Sequence, residues 1–158
     1  MVKIDNIFEE TFPLGDNKET ITKEVLFDAD ALIALINKDD SSHNRALKIN
    51  QELQKSGVSR YVSPFTVFET VTVLSHKISQ QLAKDFLLEV RRKDYFSSLS
   101  LDEKNFTLAD NWFLKQTTKG ISYFDCYNMA LMEKNKNQLD GIFSFDEIYK
   151  KNGFKTLF

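Results

Sequence analysis

Apolar residues along the chain fall into two alternating patterns, short strand-like runs and longer stretches with a helical period. Strands that alternate with helices are typical of a parallel sheet covered by helices on both faces. The pattern therefore predicts an α/β fold with a mainly parallel, roughly five-stranded sheet. The predicted strands lie near residues 25–27, 58–63, 95–101, 139–145 and 154–158.

The clearest change from strand to helix lies in residues 25–36, VLFDADALIALI. The apolar run stops at Asp28, and apolar residues resume from Leu32 with helical spacing. In open α/β sheets, ligands bind at the carboxyl ends of the strands, and this corner carries two carboxylates, Asp28 and Asp30. Two neighbouring like charges favour a bound cation, so the corner is the first candidate site.

Residues 1–23 differ from the rest of the chain, because turn formers interrupt them and no clean period surrounds those turns. We therefore expect an N-terminal arm over 1–23 and one domain over 24–158. The arm still carries one apolar stripe with helical spacing, which predicts docking on its own domain or on a partner. The stripe consists of Ile4, Ile7, Phe8 and Phe12.

Composition narrows the class of protein. The 158 residues are 42% apolar, enough for the core of one domain. The 21 basic and 23 acidic residues nearly cancel, so no basic surface indicates nucleic acid binding, although a metal in an acidic cleft supplies local positive charge. A single cysteine, Cys126, fits a reducing compartment. With no signal peptide and no bilayer-spanning run in the sequence, we expect a cytoplasmic protein without membrane contact.

Three further acids join the first pair as candidates. Asp146 follows the apolar run 139–145, Asp125 begins a helix after a glycine-containing loop, and Glu69 lies among apolar neighbours on a helix. The carboxyl ends of parallel strands share one edge of a sheet, where these acids can meet. Mg²⁺ and Mn²⁺ prefer carboxylate oxygens, which suits a chain with two histidines and one cysteine. Such a site can activate water and stabilise charge on a phosphodiester.

Each candidate also has a structural interpretation. An aspartate after a strand is often only a helix cap, and Asp30 can cap its own helix or hold the site by hydrogen bonds. Glu69 can form a surface ion pair. Asn128, one turn after Asp125, faces either the same cleft or solvent, and Cys126 suits a small core position.

Four segments together resemble the PIN-domain ribonucleases, especially the VapC-type toxins of toxin-antitoxin modules. The resemblance covers roughly residues 24–158 and rests on the order and spacing of four acids. The segments are FDADALIAL at 27–35, SPFTVFETVTVL at 63–74, ISYFDCYNMAL at 121–131 and IFSFDEIYKK at 142–151.

The resemblance implies a three-layer α/β/α sandwich and Mg²⁺- or Mn²⁺-dependent cleavage of RNA by metal-activated water. Asp30 departs from the Asn, Ser or Thr that is more usual two residues after the first acid, and we interpret it as a supporting or extra ligand. The implied partners are an RNA substrate, with tRNA and rRNA as candidates, a cognate antitoxin and a second copy of the chain. The implied catalytic and metal-binding residues are Asp28, Glu69, Asp125 and Asp146, with Ser144 and Asn128 in supporting positions.

Two other functions compete with this one. The segment VLFDADALI also resembles haloacid-dehalogenase-like phosphatases, with Asp28 as nucleophile and Asp30 as acid and base, but Ala31-Leu32 replaces the expected Gly-Thr. A non-catalytic α/β binding module is the third hypothesis. It predicts that neutralising Asp28 stabilises the metal-free protein and abolishes no activity.

Overall fold

The computed structural model describes residues 4–8, 23–92 and 95–157. Strands and helices alternate along the described chain as the sequence predicts. In chain order the elements are α1 (Asp5–Phe8), β1 (Glu24–Phe27), α2 (Ala29–Ile36), α3 (His43–Lys55), β2 (Ser59–Val62), α4 (Pro64–Lys77), α5 (Gln80–Arg92), β3 (Ser97–Ser98), a 3-10 turn (Glu103–Asn105), α6 (Phe106–Lys115), α7 (Tyr123–Lys134), β4 (Gly141–Phe143) and α8 (Ile148–Lys151).

The sheet has the strand order β3-β2-β1-β4, and all of its pairs are parallel. The first strand, β1, is central, with Phe27 opposite Val62 on one side and Phe143 on the other. The predicted parallel α/β architecture is therefore confirmed, with four strands in the described residues rather than five.

The predicted fifth strand, 154–158, is reduced to one parallel bridge between Ile142 and Thr156. The Ile142 amide donates to the Lys155 carbonyl, and the Leu157 amide donates to the Ile142 carbonyl, each at 3.0 Å. The segment lies close to β4, because a Cβ on Gly141 would come within 3.0 Å of the Lys155 carbonyl oxygen. One residue of β4 thus supplies the pairing, which is too little to make a strand.

The third strand is also shorter than predicted, with two residues instead of the expected run 95–101. Phe96, just before it, packs edge-on against the rings of Phe8 and Phe27, both at 5.2 Å between centroids. Tyr95 lies 5.6 Å from the Phe8 ring. These aromatic residues extend the core instead of the sheet.

Two hydrophobic cores flank the sheet. Side chains alternate along β1, so Val25 and Phe27 enter one core and Leu26 enters the other. Helices α2, α3, α4 and α5 contribute to the first core, and α7 and α8 to the second. This arrangement is the predicted three-layer α/β/α sandwich.

The described part of the N-terminal arm packs on the first core. Ile4, Ile7 and Phe8 are buried there, as docking on the chain's own domain predicts. The Arg60 guanidinium donates to the Phe8 carbonyl at 3.1 Å, and the Asn50 amide donates to the Ile7 carbonyl at 2.7 Å. Phe12 lies outside the described residues, and the boundary between residues 23 and 24 stays a prediction.

Within the described ranges, no helix has the length and apolarity needed to cross a membrane. The cytoplasmic location stays a prediction.

Candidate active site

Asp28 lies at the carboxyl end of the central strand and caps α2. Its Oδ1 accepts hydrogen bonds from the Ala29 amide at 2.9 Å and from Asn128 Nδ2 at 3.0 Å. Its Oδ2 accepts from Ser144 Oγ at 2.9 Å. The side chain is almost fully buried, with 4% of its residue surface exposed. A helix cap alone does not explain this carboxylate, because it is held from three separate elements of the fold.

Asp30 and Ser144 connect α2 to the segment after β4. Asp30 Oδ2 accepts from the Phe145 amide at 2.8 Å and lies 3.2 Å from Ser144 Oγ. The Ser144 hydroxyl, fully buried, therefore faces both Asp28 and Asp30 with a single proton to donate. The other oxygen of Asp30, Oδ1, is buried and accepts no hydrogen bond from the residues that the structure describes.

Asp125 is the third residue of α7. The helix begins two residues before it, because Ser122 is the cap and forms a reciprocal capping box with Asp125. Ser122 Oγ accepts from the Asp125 amide at 3.0 Å, and Asp125 Oδ2 accepts from the Ser122 amide at 2.9 Å. The predicted helix start at Asp125 was wrong by two residues, but the cap fixes the carboxylate at the same edge of the sheet.

Glu69 projects from α4 and makes no hydrogen bond to any of the described residues. The helix begins at Pro64 with Ser63 as its cap, which accepts from the Thr66 amide at 3.0 Å. Phe68, the residue before Glu69, is 51% exposed, so not every apolar neighbour of Glu69 along the chain is buried. Glu69 itself is half-buried, and the charges that act on it are those of Asp125 and Asp30.

Asp146 is the exposed one of the five candidate acids. Its Oδ1 accepts from the Ile148 amide at 2.9 Å, and its own amide donates to Ser144 Oγ at 3.1 Å. These bonds hold Asp146 at the start of α8, where its charge acts on Asp30.

The electrostatics show that these acids share one site. Burial raises the pKa of Asp28 well above its ordinary value, and the charges of Asp30 and Asp125 raise it further. Burial also raises the pKa of Asp30 to about 6, with a smaller effect of Asp146. The pKa of Glu69 rises to about 7 through burial and the charges of Asp125 and Asp30. Like charges and burial thus disfavour the ionised forms, which is the state that a bound cation relieves.

Comparison with known proteins assigns the family. A model of the PIN domain matches residues 25–155, which is most of the chain. The chain belongs to the PIN-domain family. Among solved structures, the crystal structure of VapC20 from Mycobacterium tuberculosis, a sarcin-ricin-loop-cleaving toxin, is similar with a TM-score of 0.71. The match has 20% identity and covers 83% of this chain and 96% of that one, so it shows a shared fold. No curated protein matches this chain.

Membership in the PIN-domain family confirms the family inferred from the four segments and, with it, the class of a nuclease that hydrolyses RNA. The fold brings together every acid that the sequence singled out. Among the described residues of this PIN domain, no group of three or more His, Cys, Asp or Glu side chains is placed to hold a metal ion in this structure. The acids are nevertheless near enough for the charge of one to raise the pKa of another.

The donor set of this PIN domain suits a hard divalent cation. Carboxylate oxygens are the ligands that Mg²⁺ and Mn²⁺ prefer, and Asp30 Oδ1 is a buried acceptor without a partner. Asn128 has a second such acceptor, since its Nδ2 faces Asp28 while its Oδ1 is buried and unpaired. Unpaired buried acceptors are rare in proteins and indicate a site for a ligand or a functional role.

Sequence analysis missed one residue at the centre of this site. The Tyr149 hydroxyl, fully buried, donates to Asp125 Oδ1 at 3.4 Å and accepts from Asn128 Nδ2 at 3.3 Å. Burial raises the pKa of Tyr149, as do the charges of Asp28 and Asp125. Tyr149 therefore stays protonated and orients its neighbours as a hydrogen-bond donor.

Cys126, next to Asp125, is a buried core residue of this PIN domain as expected. Burial raises the pKa of its thiol to about 11, so it is not a nucleophile at neutral pH.

Proposed function

We propose that this PIN domain is a metal-dependent endoribonuclease whose centre is formed by Asp28, Asp30, Glu69, Asp125 and Asp146. The observation that supports this proposal is the raised pKa of Asp28, Asp30 and Glu69 at one edge of the sheet, which burial produces first and the charges of neighbouring acids increase. A buried group of repelling carboxylates costs folding free energy and persists where it binds a cation or acts in chemistry.

In this proposal Asp28, Asp125 and Asp146 hold the metal, with Asp30 contributing its unpaired Oδ1. A bound Mg²⁺ or Mn²⁺ lowers the pKa of water and stabilises negative charge on a phosphodiester. Ser144 and Asn128 keep the Asp28 carboxylate in one orientation through their hydrogen bonds at 2.9 and 3.0 Å.

Glu69 has a separate part in the proposal. Its carboxylate is free of hydrogen bonds, half-buried and has a pKa of about 7. A carboxylate in that state is suited either to join the ligands or to accept a proton from the attacking water near neutral pH. Its position on α4 brings it within range of the charges of Asp125 and Asp30.

The biological role that we propose is that of a toxin in a toxin-antitoxin module. The four segments resemble VapC-type toxins, and VapC20, which shares the fold, is a toxin that cleaves the sarcin-ricin loop. An RNA substrate, with tRNA and rRNA as first candidates, a neutralising antitoxin and a homodimer belong to this proposal.

The test is cleavage of purified tRNA and rRNA with Mn²⁺ or Mg²⁺, with EDTA and the Asp28→Asn variant as controls. Asp39→Asn is the matched variant, because it removes one carboxylate charge from an exposed position after the same helix. We expect discrete cuts with the wild type and with Asp39→Asn, and none with EDTA or Asp28→Asn. Intact RNA under every metal, with a folded protein, would refute the proposal for these substrates.

Neither alternative function gains support from the comparisons. The binding-module hypothesis is decided by the same experiment, because it predicts no cleavage by the wild type.

A further inference from the structure

A groove of about 420 Å³ begins at the acidic site and runs along the loop between α6 and α7. Asp125 and Asp146, two members of the proposed metal centre, belong to its lining, so the groove is continuous with that centre. The remainder of its wall comes from the loop 115–121 and from α8. Nothing in the proposed chemistry of the five acids accounts for this groove.

Apart from those two acids, every charged residue in the groove is a lysine. The lysines are Lys115 at the end of α6, Lys119 in the loop and Lys151 at the end of α8. They come from separate parts of the chain and are all exposed. The protein has a net charge of −2, so three lysines in a groove beside an acidic centre form a locally basic surface.

Two of these lysines, Lys115 and Lys151, make contacts with described residues, and both can still bind an anion. The Lys115 ammonium lies 4.7 Å from the centre of the Trp112 ring, which positions the side chain without neutralising it. Lys151 pairs with Glu147 at 3.2 Å, but both side chains are exposed and such a pair contributes little stability.

Hydrogen bonds within the protein hold the loop between α6 and α7 in place. Gln116 Nε2 donates to the Trp112 carbonyl at 3.0 Å and to Asn152 Oδ1 at 3.3 Å, which links the loop to α8. Gly120 has a φ of 96°, a conformation that favours glycine. These contacts give the groove a defined shape.

We propose that this groove binds the sugar-phosphate backbone of a single-stranded segment of the RNA substrate, beside the bond that is cut, with Lys115, Lys119 and Lys151 as phosphate contacts. The inference rests on the proposed function, which supplies RNA as the substrate. Because Asp28 is buried, the cut phosphate must enter a recess, and a flexible single strand does so more readily than a duplex. Phosphates on one side of the cut then follow the groove.

The experiment measures binding separately from cleavage. A fluorescein-labelled single-stranded RNA of mixed sequence is titrated with the Asp28→Asn protein in Mg²⁺, so that the RNA stays intact, and the dissociation constant is followed by anisotropy against salt concentration. The groove variant adds Lys115→Gln, Lys119→Gln and Lys151→Gln. The control variant adds Lys48→Gln, Lys84→Gln and Lys136→Gln, three exposed lysines outside the groove.

Each lysine that contacts a phosphate of a single strand contributes about 0.7 to the slope of log K against log salt, so the groove variant is expected to lose about 2 from the magnitude of that slope. Its affinity at low salt is expected to fall at least about tenfold, uniformly across RNA sequences. The control variant is expected to keep the parent slope. Equal slopes for the groove and control variants, with both folded by circular dichroism, overturn the proposal.

Cleavage by the same lysine variants with native Asp28 gives a second readout. We expect KM to rise with kcat retained, because the lysines bind substrate and do not touch the carboxylates that hold the metal. A fall in kcat at unchanged KM contradicts a backbone-binding role. Failure of the wild type to cut any RNA overturns the proposed function alone, since the binding slopes still decide whether the groove holds the strand.

Discussion

Replacing Asp30 with asparagine is expected to stabilise the metal-free protein at neutral pH. Asp30 has a pKa of about 6 in the folded chain against an ordinary value of 3.8. That difference corresponds to about 3 kcal/mol lost from the folding free energy once the group is ionised in both states. Asparagine keeps an oxygen to accept from the Phe145 amide, while its unpaired amide group costs about 1 kcal/mol. The net gain is therefore about 2 kcal/mol.

The effect of Asp30→Asn on the stability of the metal-free protein depends on pH. The folded state holds the Asp30 proton more tightly than the unfolded state, so the folded protein loses stability as pH rises from about 4 through about 6. Below that window the carboxyl is protonated in both states and Asp30→Asn gains nothing. Above it the full difference is present.

Thermal unfolding in EDTA at pH 4 and pH 7.5 measures this effect. For a chain of this size, about 2 kcal/mol corresponds to a rise in Tm of roughly 6 °C. We expect that rise at pH 7.5 and no rise at pH 4, with Asp39→Asn close to the wild type at both. A gain of equal size at both pH values, or a loss at pH 7.5, would show that the raised pKa of Asp30 is not what limits stability.

Three further predictions concern the same centre and the loop beside it. Asp28→Asn is expected to abolish RNA cleavage and, in EDTA at pH 7.5, to raise Tm, because it removes a buried charge; a lowered Tm would contradict this. Tyr149→Phe removes the hydroxyl that contacts Asp125 and Asn128. We expect kcat to fall about tenfold with KM unchanged, and the free energy of unfolding to fall by about 1 kcal/mol. An unchanged kcat would exclude a positioning role for Tyr149. Gly120→Ala forces alanine into a φ of 96°, and we expect a loss of about 1 kcal/mol by urea denaturation, with an unchanged midpoint as the opposing result.

The acids could be predicted from the sequence because a residue that follows a strand of a parallel sheet lies at a known edge of that sheet. Asp28 and Asp146 follow strands that pair in parallel, and parallel strands put their carboxyl ends together. Glu69 was identifiable because an acid is costly among apolar neighbours on a helix. Their catalytic roles stay predictions until the variants are measured.

The strand at 154–158 was predicted from the strand propensity of its residues, but propensity does not show whether a neighbouring strand is available to pair with it. The segment FKTLF has strand-forming residues, but the structure offers it one residue of β4, Ile142. The segment 95–101 was overestimated for a related reason, because Phe96 packs against Phe8 from the far N-terminus. Such contacts are invisible in a local pattern.

Tyr149 and the lysine groove were missed because their partners are distant in sequence. An Ile-Tyr pair on a short helix has the pattern of a core position, and the hydroxyl's partners lie 24 and 21 residues earlier in the chain. Lys115 and Lys151 acquire meaning only because the fold places the ends of α6 and α8 around one groove.

The central position of β1 has a consequence for how the chain is made. Its second neighbour, β4, is synthesised after the other three strands of the described sheet, and Ser144 and Asp146 follow it. Until then one edge of β1 has no partner, and Asp28 lacks the Phe143 carbonyl and the Ser144 hydroxyl that hold it. A growing chain therefore carries four of the five acids without an assembled centre. For an enzyme that hydrolyses RNA, this order of synthesis withholds the assembled centre until β4 and the acid after it have been made.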